Sequence, residues 1–237
     1  MIKVDLGTRT YRHEANFRII DMIADMNSST KQRRVWSGSS RKNPKDSYID
    51  RSSEIGENVR IGHFTSIHSD VKIGRNVRIE DGSRIYEGCA IGDGSIVGPN
   101  AVLRPFTRLG KHTIFGTLSC CEGHSSIGDY TTINAQCHIT QHASIGNCVF
   151  IAPFFIATNT PSITEGRHGS AKSGSPKLLP TVIEEGVRMG ANVRMTPGHT
   201  IGAYALIDQD TLITTDIPPH SHVRGGKDKI GIIIGHV

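Results

Sequence analysis

The chain has 237 residues, 36% of them hydrophobic and 5% aromatic, and its 27 Lys and Arg outnumber 22 Asp and Glu for a net charge of +5. No apolar run is long enough to cross a membrane and the start does not read as a signal, so the expected setting is cytoplasmic. The basic residues are scattered and Trp36 is the single Trp. There is therefore no aromatic-basic stripe for nucleic acid, and the modest positive charge suits acidic small ligands such as phosphates.

Residues 1–51 read as an N-terminal helical extension and linker. Phe17, Ile19, Ile20, Ile23 and Met26 give one apolar stripe, which predicts a short helix over 13–26. The stretch from Asn27 to Asp46 is polar and basic.

From Ile55 the chain changes character. Stepping by six from Ile55 to Ile151, all seventeen positions are apolar, and Gly follows at 56, 62, 74, 92, 110, 128 and 146. Neither a helix, with a period near 3.6, nor a plain strand, with a period of 2, produces this beat. A chain that turns a corner every six residues does, and three sides close a triangular turn of eighteen. Successive turns then stack by parallel strand pairing, about 4.8 Å apart. The fold class is all-β, a parallel β-helix. The beat residue fills the interior, the small or β-branched residue two before it fits the corner, and Gly is expected to permit the bend.

The coil spans 52–222, interrupted at 158–180. That segment is rich in Gly, Ser and Pro and carries no phase. A long irregular loop in a regular scaffold points to substrate or cofactor. The beat resumes at Ile183, Met189, Met195, Ile201, Ile207 and Ile213, and residues 223–237 are expected as a tail against the coil or a neighbour. Cys89, Cys121 and Cys137 fall in inward phases, Cys120 and Cys148 in outward ones.

Stacking at eighteen residues places His142 over His124, and His138 over Cys120. The run from Asn134 to His142 thus concentrates polar groups beside the loop. Acyl transfer needs a base near neutral pKa and donors for an oxyanion. His138 and His142 are the candidate bases. Asn159, at the mouth of the loop, is a candidate for orienting the acceptor. Asn134, Gln141 and His124 are candidate substrate contacts, and Ala152-Pro-Phe-Phe155 a candidate aromatic wall through Phe155. A zinc reading would use His124, His138 and His142, but the close pair is four apart with no carboxylate nearby in sequence, so no metal is expected.

The hexads resemble those of the bacterial transferase hexapeptide family over 52–157 and 181–217, which implies the left-handed form of the coil. Within it, Ala157-Thr-Asn-Thr160, Pro180-Thr181, Gly190-Ala-Asn-Val193, Thr215-Asp-Ile-Pro-Pro219 and Gly225-Gly-Lys-Asp-Lys229 look most like the nucleotide-sugar N-acetyltransferases. The resemblance implies a homotrimer with acetyl-coenzyme A lying between two coils. Its pantetheine arm would run by backbone groups near Met189, Gly190 and Ile207, and its phosphates would meet Arg224, Lys227 or Lys229. It also implies an amine acceptor on a nucleotide-linked amino sugar. This chain departs from the pattern in having Gln141 where many such enzymes place a histidine, Thr160 where an Asp is usual, and Gly226-Lys227 in place of Asn-Pro. O-acetyl or amino-acid acyl transfer, a carbonic anhydrase-like metalloenzyme and a non-catalytic scaffold are the alternatives.

Overall fold

The computed structural model describes residues 46–161, 177–225 and 231–236. The expected helix at 13–26, most of the loop, and Lys227 and Lys229 lie outside these residues.

The described chain is a left-handed parallel β-helix of two-residue strands. Three sheets form its faces. The first face holds Tyr48–Ile49, Cys120–Cys121, His138–Ile139 and Ile156–Ala157 among its strands. The second holds Ser126–Ile127, Ser144–Ile145 and Val182–Ile183, and the third Phe150–Ile151, Arg188–Met189 and Leu206–Ile207. Residues eighteen apart pair directly, as Ile127 does with Ile145. The beat side chains form one continuous core, with Ile133, Phe115 and Ile151 fully buried. The corner residue two before the beat carries a hydroxyl in many turns. Ser95, Thr113, Ser119 and Thr131 each donate it to a carbonyl of the same corner one turn on, at 2.7–2.8 Å, which satisfies a buried backbone acceptor in every such layer.

The structure corrects the reason for glycine. The bend lies three residues before the beat, where non-glycine residues take φ near +50 to +65°, among them Phe106, His124 and His142. Glycine after the beat is needed for close approach instead. A Cβ on Gly92 would lie 2.6 Å from the carbonyl carbon of Gly110 one turn on, closer than backbone packing allows.

The ends also differ from expectation. The coil begins one strand earlier than residue 52, since Tyr48–Ile49 pairs with Ser66–Ile67. Across the loop, Ile145 pairs with Ile183, 38 residues on rather than 18, so the excursion returns the chain in phase. The final turn is two residues short. Ile201 bridges Ile217, and Asp216 Oδ1 takes the Thr200 N–H at 2.8 Å. The tail is ordered as a hairpin. Ser221–Gly225 extends the third face in parallel and Gly231–His236 pairs antiparallel outside it.

Candidate active site

The loop leaves the coil at the corner between the first and second faces. Its neck is drawn together where the Leu179 N–H donates to Asn159 O at 2.8 Å and the Gly198 N–H to Leu179 O at 3.2 Å. Asn159 is buried. Its Oδ1 accepts the Thr160 hydroxyl at 3.3 Å, leaving a second lone pair for a ligand. The hydroxyls of Thr140 and Thr181, on the same corner, are buried with no hydrogen-bond partner among the described residues.

One turn below Asn159 lie Gln141 and His142. The expected columns are present. The rings of Phe106, His124 and His142 follow one another with centroids 4.9 and 5.4 Å apart. His138 pairs with Cys120 below and Ile156 above. His138, Gln141, His142, His124 and Asn159 therefore share this corner region, while the first two receive a partner that sequence reasoning missed. Glu122 Oε1 lies 3.0 Å from His138 Nε2, and its Oε2 accepts the Gln141 N–H at 3.2 Å. The available signal was weak: Glu122 stands two residues beyond Cys120, the column partner of His138.

Two expected contacts are not brought here. Asn134 sits on the corner between the third and first faces, where its Nδ2 donates to Ile151 O at 2.8 Å as part of the coil. Phe155 is 0% exposed and belongs to the core. The outward ring is Phe154, at the positive-φ corner position. Among the described residues no three His, Cys, Asp or Glu side chains converge as a metal site, and His124, His138 and His142 are no exception. Burial pushes the Cys89 and Cys137 thiols up to about 11, as suits packing residues.

A second feature lies on the third face. An open groove of about 680 Å³ is lined by Phe150, Arg188, Met189, Gly190, Ile207 and Arg224 among others. It gathers four of the six residues expected to hold a coenzyme. The side chains of Met189 and Ile207 are core, so they offer only backbone. Asp208 anchors the groove wall, meeting His222 Nε2 at 2.9 Å and Arg224 Nε at 3.1 Å. Partial burial works against its ionisation, but the bonds from His222 and Arg224 outweigh this and hold the carboxyl below its ordinary range. A depressed folded pKa adds stability above the unfolded value that is lost as pH falls through the folded one. The stability gap between wild type and Asp208→Asn should thus be steady above about pH 5 and shrink below about 4. Urea midpoints across that range check it, and a gap that widens on acidification would refute the assignment.

The family model described as bacterial transferase hexapeptide (six repeats) matches residues 52–87. The same six-residue unit builds the coil far beyond that window. Over residues 52–87 the chain is similar to the hexapeptide-repeat transferases. Among solved structures, it resembles a UDP-N-acetylglucosamine acyltransferase from Campylobacter jejuni, with 20% identity over 81% of this chain and 73% of that one and a TM-score of 0.60. It also matches a hexapeptide-repeat-containing acetyltransferase from Vibrio cholerae, with 24% identity over 61% and 72% and a TM-score of 0.44. The chain thus shares the fold of the Campylobacter jejuni protein. Among the described residues, no helix is long and apolar enough to cross a membrane.

Proposed function

We propose that this protein is an acetyl-coenzyme A-dependent N-acetyltransferase acting on the amine of a nucleotide-linked amino sugar. The observation that carries the reading is the gathering of His138, His142 and buried Asn159 at the corner from which the loop departs. Asn159 Oδ1 accepts a hydrogen bond from the acceptor amine. A histidine removes its proton as nitrogen attacks the thioester. Corner N–H groups hold the oxyanion. Gln141 and His124 contact the acceptor sugar. The nucleotide-sugar part rests on the Ala157–Thr160 and Pro180–Thr181 resemblance, and the Campylobacter jejuni protein of like fold is itself a UDP-N-acetylglucosamine acyltransferase.

The coenzyme takes the third-face groove, its phosphates near Arg224, and the resemblance assigns Lys227 and Lys229 to the same phosphates. In a triangular coil, the corner between the first and second faces lies opposite the third face. A complete site therefore needs the groove of one subunit and the histidine corner of another, which supports a homotrimer. Mixing tests this directly. Chains carrying His138→Ala and chains carrying Arg224→Ala, each nearly inactive, should regain activity when refolded together, because mixed trimers contain an interface with neither substitution. No recovery would place both parts in one subunit.

Saturating acetyl-coenzyme A should raise the melting temperature, and thiol release against free and nucleotide-linked amino sugars should identify the acceptor. An unchanged melting temperature would count against the coenzyme. A hydroxyl acceptor is the second reading, favoured by the Glu122 contact to His138, since a hydroxyl needs stronger base assistance.

A further inference from the structure

We propose that Glu122 is a positioning residue that selects His138 as the base and makes Nδ1 its proton-accepting atom. The inference rests on the acyltransferase reading above and deepens it. A carboxylate only accepts hydrogen bonds. With Glu122 Oε1 at 3.0 Å, His138 Nε2 must therefore carry a hydrogen. The neutral ring then holds its lone pair on Nδ1, which has no hydrogen-bond partner among the described residues. The carboxylate is itself held, because its other oxygen takes the Gln141 N–H. His142 has no comparable tether. Its ring lies tilted against that of His124 at the exposed corner and has no hydrogen bond among the described residues.

The step balances simply. The acceptor nitrogen bonds to the thioester carbonyl carbon, and its proton passes to Nδ1. The resulting imidazolium keeps its Nε2–H on Glu122. The carbon–sulfur bond then breaks, and the proton on Nδ1 goes to the departing sulfur, giving free thiol and restoring the neutral ring.

Glu122→Gln makes a sharp test because the Gln141 N–H is a fixed donor. It claims the new amide's oxygen, so the NH2 group faces Nε2. Nε2 must then accept, and the ring hydrogen moves to Nδ1, which removes the lone pair the reaction uses. Glu122→Ala leaves the ring free to keep Nε2–H. The expected order of kcat is wild type, then Glu122→Ala, then Glu122→Gln, with the glutamine variant lower by a factor of about 10² or more. KM for acetyl-coenzyme A and the coenzyme-induced rise in melting temperature should not change.

Magic-angle-spinning spectra of 15N-histidine-labelled protein give a readout independent of turnover. The His138 signals, assigned by their loss in His138→Ala, should show protonated Nε2 in wild type and protonated Nδ1 in Glu122→Gln. An Nδ1–H tautomer in wild type, or no change in Glu122→Gln, would overturn the proposal while the coenzyme shift left the acyltransferase reading standing. A tautomer switch with undiminished turnover in His138→Ala would equally overturn it.

Discussion

His138→Ala should lower kcat by about 10²–10⁴-fold, the usual contribution of a positioned general base, while leaving the melting temperature and its response to acetyl-coenzyme A unchanged. The reason is placement. His138 is an outward residue of a first-face strand, half-buried, with its backbone N–H bonded to Phe155 O at 2.8 Å. The coil holds that strand through its own ladder and does not need the ring, so removal of the ring deletes chemistry and spares the scaffold. Steady-state rates with a thiol-detecting assay, alongside thermal melts, separate the two. His142→Ala should cost far less, because among the described residues no hydrogen bond orients its ring. Near-normal turnover in His138→Ala would mean that the amine is delivered without this base.

Phe155→Ala should lower stability by about 3–5 kcal/mol, whereas Phe154→Ala should change it by no more than about 0.5 kcal/mol. The two residues are neighbours of the same type, and the difference is one step of chain direction. Phe155 is 0% exposed and Phe154 is 50% exposed. Truncating the buried ring leaves a cavity in a core only one side chain wide, with turns above and below that cannot close on it without breaking the strand ladder. Urea midpoints at constant denaturant slope would report both values. Equal losses at the two positions would contradict the orientation of this corner.

Much of the architecture was legible because a period of six has few physical solutions. The interior positions, the vertical registers of His124 with His142 and Cys120 with His138, and the excursion all follow from counting, and the pairing of Ile127 with Ile145 is as counted. Beside Pro153 and Phe154, Phe155 looks like part of an aromatic wall, but its own phase, two before the beat, is an inward one. Asn134 was grouped with His138 by nearness in sequence. Four residues in this coil span most of a side, so Asn134 lies at the corner before the first face and His138 on that face, toward the next corner.

The amino-acid sequence by itself determined the coil, its core and the excursion, because these rest on a local beat of six residues that every turn repeats. Only the tertiary structure decided which carboxylate meets His138, which aromatic faces outward, and that the third-face groove stands opposite the histidine corner. Those facts depend on side-chain reach and on the angle between faces. Glu122 finds His138 diagonally across adjacent turns, sixteen residues away, a separation the eighteen-residue count does not single out.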